Sequence, residues 1–167
     1  MKHALWSRLA ALILVSVLAL SLVACGGEEE PESDAIYSLD YKGTKIALGA
    51  SAEGVLEALG AEKSKNEIGD CGGLGAQVQY IYDDITLYVL ESKDGKHTVD
   101  SFSLNHDMVS TDKDVCIGDD KQKVLDAYGE PTAQNEKILQ YQNGSYYLLF
   151  GFDEAGTVSS IEWKVKS

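Results

Sequence analysis

The sequence predicts an α+β chain: two tandem copies of a short helix followed by a three-stranded antiparallel meander, with an added N-terminal hairpin. Self-similarity is the first reason. Ile46-Ala47-Leu48-Gly49, which leads into Ala50–Gly60, returns 69 residues later as Val115-Cys116-Ile117-Gly118, which leads into Asp119–Gly129. At that offset Gly49 meets Gly118, Val55 meets Val124, Leu56 meets Leu125, Ala58 meets Ala127 and Gly60 meets Gly129. The second reason is period: Val55, Leu56 and Leu59, like Val124, Leu125 and Tyr128, fall three and four apart, the spacing of one helix face. The third is the regular recurrence of turn dipeptides between apolar runs.

Taken in order, residues 36–41 and 44–48 flank Lys42-Gly43 and predict the added hairpin. Ser51 is placed to cap the first helix and Asp119 or Asp120 the second, because free N–H groups at a helix start need an acceptor. Gly60 and Gly129 suit a left-handed helix end, and Pro131 stops the second helix from resuming. Strands are expected near 77–82, 85–91 and 97–105, and again near 136–142, 145–152 and 157–165. Asn143-Gly144 reads as a type I′ hairpin turn, Asp83-Asp84 takes the matching place, and Asp94-Gly95 and Ala155-Gly156 close the second hairpins. Links this short make the sheets antiparallel. Val99 and Val158 are 59 apart, so the first copy holds about ten more residues than the second. The Gly-rich stretch around Cys71 is their expected home, as a flexible insertion.

A Gly, a short Val-Leu-x-x-Leu-Gly or Val-Leu-x-x-Tyr-Gly-x-Pro helix and a three-stranded meander resemble the repeat of the β-lactamase-inhibitory-protein-like superfamily. That group includes small outer-membrane assembly lipoproteins of the SmpA/OmlA (BamE) type. The resemblance covers about 46–104 and 115–163. The arrangement also resembles a set of lipoproteins from Gram-positive gut anaerobes. The resemblance implies protein binding rather than catalysis, on a concave sheet surface built by two tandem repeats. Its motif carries no specific inhibitory loop onto this chain.

The N-terminus has the three parts of an export signal. Lys2 and Arg8 form a positive start, Leu9 to Leu22 is apolar, and Leu22-Val23-Ala24-Cys25 resembles the bacterial lipobox. The apolar run is shorter than the roughly 20 residues a spanning helix needs. Residues 1–24 are therefore expected to be a lipoprotein signal peptide, with Cys25 acylated by palmitate-type chains and holding the chain to a bacterial membrane on its extracytoplasmic side. Residues 25–35, with Glu28-Glu29-Glu30 and Pro31, form an acidic tether. The first repeat is expected over 36–106 and the second over 107–167.

The formal charge is −13, from 14 basic and 27 acidic residues. A chain this acidic lacks the basic patch that phosphate contacts require, so no nucleic-acid partner is expected. Catalytic and metal patterns are equally thin. His97 and His106 are nine apart on different elements, with no zinc spacing. Asp112-Lys113-Asp114 begins like a calcium loop, but Lys123 stands where its Glu belongs. Gly72-Gly73-Leu74-Gly75 lacks the remaining phosphate-binding positions, and no Gly-x-Ser-x-Gly occurs. No enzyme, cofactor or metal is expected. Cys71 and Cys116, 45 apart in an exported chain, are either one disulfide or two separate thiols.

Strand alternation sorts the side chains by face. Ile85, Leu87, Val89, Phe102 and Leu104 form one apolar set, matched by Tyr146, Leu148, Phe150, Ile161 and Trp163. The opposite face is expected to show Tyr80, Tyr82, Tyr88 and Tyr147 among Gln, Ser and Thr. Tyr in such company suits a protein-binding face, and equally suits a half-exposed sheet. The functional expectation is a non-catalytic scaffold or inhibitor-like module for an envelope or extracellular protein. The alternative is a lipoprotein binding a small molecule or cell-wall ligand in a pocket near Cys71.

Overall fold

A computed structural model describes residues 37–70, 73 and 75–166, which belong to one compact unit. The strands are β1 (Ser38–Tyr41), β2 (Thr44–Ala47), β3 (Ser64–Asp70), β4 (Gly75–Ile81), β5 (Ile85–Ser92), β6 (His97–Leu104), β7 (Ala133–Gln134), β8 (Ile138–Asn143), β9 (Tyr146–Phe152) and β10 (Val158–Val165). Among the described residues two helices, α1 (Ala52–Leu59) and α2 (Lys121–Tyr128), precede β3 and β7. Strands β1 and β2 pair alone. The other eight form one sheet in the order β3-β4-β5-β6-β10-β9-β8-β7, antiparallel throughout.

This corrects the predicted fold class. The chain is mostly β, and it is not two tandem units of a helix and a three-stranded meander. Each helix is followed by four strands, and all eight join in one sheet through β6 and β10. The additional strand after α1, β3, takes most of the place assigned to a flexible insertion. Its sequence, Ser-Lys-Asn-Glu-Ile-Gly-Asp, has no apolar alternation because it is an exposed edge strand, where charges discourage pairing with another chain. The additional strand after α2, β7, is two residues long, too short to leave a pattern.

Helices of eight residues do not stand alone in water and need a sheet to lean on. Ala52 and Val55 of α1 and Val124 of α2 are buried. They join a core that holds Ile85, Leu87, Val89, Phe102, Leu148, Phe150, Ile161 and Trp163, with Leu39 and Ile46 from the β1–β2 hairpin. Tyr128 packs on Tyr141 and Phe150, and the Tyr141 hydroxyl donates to the Gly129 carbonyl at 3.0 Å, fixing the end of α2 over β8. Gly60 and Gly129 end the helices with φ of 73° and 75°, a conformation that a Cβ disfavours.

The segments entering the two helices are held alike. Gly49 N–H donates to the Val99 carbonyl and Val99 N–H to the Ala50 carbonyl, at 2.8 and 2.9 Å. Gly118 N–H donates to the Val158 carbonyl and Val158 N–H to the Asp119 carbonyl, at 2.9 and 2.8 Å. Each segment thus occupies the edge that the first half of β6 or β10 leaves open. The two strands pair with each other only through Ser101, Phe102 and Ser103 against Lys164, Trp163 and Glu162.

Two local expectations change. Ser51 makes no side-chain cap bond, whereas Asp120 accepts from Lys123 N–H at 2.8 Å. Asp120→Ala is therefore expected to lower stability by about 0.5–2 kcal/mol, and Ser51→Ala by a few tenths, in paired urea melts. In the β8–β9 hairpin Asn143 pairs with Tyr146, so the central residues are Gly144-Ser145, not Asn143-Gly144. Positive φ is confined there to Gly144, the first central position, as in a type II′ turn.

Candidate interaction surface

The core covers one face of the eight-stranded sheet and the register shows what the other face carries. Asn66, Gln79, Tyr88, Ser101, Lys164, Tyr147 and Gln142 form a single row across seven strands. Ile81, Thr86, Ser103, Glu162, Leu149, Gln140 and Ala133 form the next. Tyr88 and Tyr147 lie three strand spacings apart, about 14 Å. Among the described residues of these strands, the open face holds two acids, Asp100 and Glu162, and one base, Lys164. On a chain of net charge −13 it is a nearly neutral surface of amides, hydroxyls and aromatic rings.

Half of the predicted tyrosine set belongs there. Tyr88 and Tyr147 are half-exposed on the open face. Tyr80 and Tyr82 are not on it. Tyr80 pairs with Leu87 on the core side and is 8% exposed, and Tyr82 is 6% exposed. The face assignment therefore fails for β4. Gln77, Gln79 and Ile81 point outward, while Val78 and Tyr80 point into the core, where Lys65 lies 5.1 Å over the Tyr80 ring. A tyrosine is large and amphipathic enough for either side, so composition alone does not assign it. Among the described residues the buried Tyr82 hydroxyl has no hydrogen-bond partner, and burial pushes its pKa up.

Asp100, absent from the predicted set, sits beside Tyr88. The β5–β6 register shifts between Tyr88 and Val89, so that Tyr88 faces Ser101 and Val89 faces Val99. Asp100 is the extra residue of this bulge, and bulges re-aim side chains. Its carboxylate accepts a 2.6 Å bond from Gln77 Nε2. Two residues along β4, Gln79 Nε2 donates to the Tyr88 hydroxyl at 2.9 Å, and Asn66 Nδ2 donates to Gln79 Oε1 at 3.0 Å. The Asp100 carboxylate is half-buried. Desolvation raises its pKa and the Gln77 bond opposes the rise. Residue-type spacing gave no sign of this site, because the bulge that brings Asp100 onto the open face beside Gln77 exists only in the paired strands.

Cys25 and Cys71 lie outside the described residues, and so does the proposed Cys71–Cys116 bridge. Cys116 is a half-buried thiol whose Sγ donates to Asp119 Oδ2 at 3.3 Å. Burial pushes its pKa up, and the Asp119 carboxylate adds to this. Asp119 also accepts from Cys116 N–H and from Lys123 Nζ, both at 2.7 Å, so the pair organises the entry to α2. Among the described residues no three His, Cys, Asp or Glu side chains converge as metal ligands, and no helix is long and apolar enough to cross a membrane. A depression of about 220 Å³ is lined by Ser38, Leu39, Asp40, Lys45, Ser110, Thr111 and Asp112.

No family model matches this chain, and no curated protein matches it. Among solved structures it is similar to a cysteine-rich secretory protein from Staphylococcus aureus subsp. aureus Mu50, at 12% identity and a TM-score of 0.50. The match covers 71% of this chain and 44% of that one, so the chain spans under half the length of the protein it resembles. At this identity the likeness concerns the fold alone.

Proposed function

We propose that this chain is an extracytoplasmic lipoprotein, anchored to a bacterial membrane through acyl chains on Cys25, whose open sheet face binds an envelope or extracellular protein without catalysing a reaction. The observation that carries this reading is the composition of the face: tyrosines, amides and hydroxyls, nearly free of charge, on an otherwise acidic chain. Charge depletion with aromatic enrichment is the pattern of an interface centre. The leader and the Leu22-Val23-Ala24-Cys25 motif support the anchor.

Crosslinking and pull-down from native envelopes test it, with the wild-type chain and a Tyr88→Ala/Tyr147→Ala variant. Both side chains lie outside the core, so the variant is expected to melt within about 1 kcal/mol of wild type. A single protein enriched by wild type and reduced at least about tenfold by the variant is the expected result, since interface tyrosines often dominate affinity. Equal enrichment by both chains would reject this face. The small-ligand reading places its pocket near Cys71, which lies outside the described residues. The depression at Ser38 and Thr111 is a different place, and it is smaller than the roughly 300–1,000 Å³ usual for ligand pockets.

A further inference from the structure

Asp100 and Tyr88, neighbours across the β5–β6 bulge, are each held by an amide of β4. Gln77 and Gln79, both outward-facing on β4, each donate to one of them. The carboxylate and the phenol are therefore oriented before anything binds, which lowers the ordering cost of recognition. Among the described residues Asp100 has a neutral amide as its hydrogen-bonding partner and makes no ion pair, although it is half-buried. Lys164, on the far side of Ser101 in the same row, forms no ion pair with it. A half-buried carboxylate without a cation is an unbalanced charge, and the most direct way to balance it is a cation brought by a partner.

The neighbouring ring narrows the choice of cation. A planar guanidinium offers two parallel N–H donors to a carboxylate and stacks on an aromatic face, whereas an ammonium is a compact, strongly hydrated point charge. The net charge of −13 would also draw a basic partner toward the surface. Resting on the protein-binding reading above, we propose that Asp100 and Tyr88 form a receptor for an arginine side chain of the partner protein. The guanidinium would fork onto the Asp100 carboxylate and lie against Tyr88, with the rest of the contact running along the row toward Tyr147.

The test uses the full chain in detergent and two probes, acetyl-Gly-Arg-Gly-amide and its citrulline counterpart, which keeps the shape and loses the charge. Amide shifts in the NMR spectrum are expected at Tyr88, Asp100 and Ser101 with the arginine peptide, and at least about tenfold weaker binding with citrulline, the loss of one charge-assisted contact. Asp100→Asn is expected to weaken the arginine peptide about as much. Asp126→Asn, the same charge change on exposed α2, should leave binding unchanged. Because the Asp100 pKa is raised in the folded state, its charged form opposes folding above the unfolded carboxylate pKa and is relieved as pH falls. Asp100→Asn is therefore expected to fold at neutral pH with no loss of stability, and Tyr88→Leu serves as the second variant.

Shifts spread over the acidic surface, or equal losses in the Asp100 and Asp126 variants, would overturn the receptor. If the envelope partner needs Tyr88 and Tyr147 but is indifferent to Asp100→Asn, the receptor fails and the protein-binding reading stands. If the arginine peptide seats at Asp100 while no envelope protein depends on the face, the receptor stands and that reading fails.

Discussion

Trp163→Ala is expected to cost about 3–5 kcal/mol and to lower the melting temperature by roughly 10 °C or more. Trp163 is fully buried and stacks on Phe102, with centroids 4.8 Å apart and planes 17° apart. The two residues are directly opposite each other in the β6–β10 pair, which joins the halves of the sheet through three residue pairs. Truncation therefore opens a cavity at the narrowest part of the ladder, where few backbone hydrogen bonds share the load. Urea melts measure the loss, and amide hydrogen exchange should show Ser101–Ser103 and Glu162–Lys164 opening first. A loss below about 1 kcal/mol would mean that the seam is held by something other than this stack.

Gly75→Ala is expected to cost about 2–4 kcal/mol, from backbone strain and overlap together. Gly75 begins β4 opposite Ser92 with φ of 144°, a conformation L side chains rarely adopt. A Cβ there would overlap the Glu91 carbonyl oxygen and come within 2.7 Å of Ser92 Cα. Both atoms are backbone of β5, fixed in the ladder, so no side-chain rotation relieves the clash. Gly151→Ala is the control. Its Cβ would meet the Ser160 hydroxyl, which can turn to another rotamer, and its backbone is not in the left-handed region. The control is expected to lose less than about 1 kcal/mol. Equal urea midpoints for Gly75→Ala and wild type would show that the start of β4 moves freely away from β5.

The helices were legible because their signals are local. Val55 and Leu56, Val124 and Leu125, and the glycines that end both segments sit where helical period and helix-end chemistry place them. The core strands were legible for the same reason. Ile85, Leu87 and Val89 alternate, as do Leu148 and Phe150, and one face must leave water. Strand β3 was not legible. An edge strand has no face to bury, and its Lys65, Glu67 and Asp70 resemble a loop. Tyr80 and Tyr88 are both tyrosines in strands, yet one is core and the other is surface, because the pairing of β4 with β5 sets which way each points. Asp100 and its neighbours illustrate the same limit, since a bulge is a relation between two strands.

By itself, then, the sequence determined the two short helices, most of the strands, the apolar face and the acidic character of the chain, all of which follow from residue type and near-neighbour spacing. Only the tertiary structure decided that eight strands merge into one sheet through β6 and β10, that Tyr80 and Tyr82 turn inward, and that Gln77, Gln79, Tyr88 and Asp100 come together. Those outcomes depend on register, and register is set by the cooperative burial of a whole face rather than by any one segment.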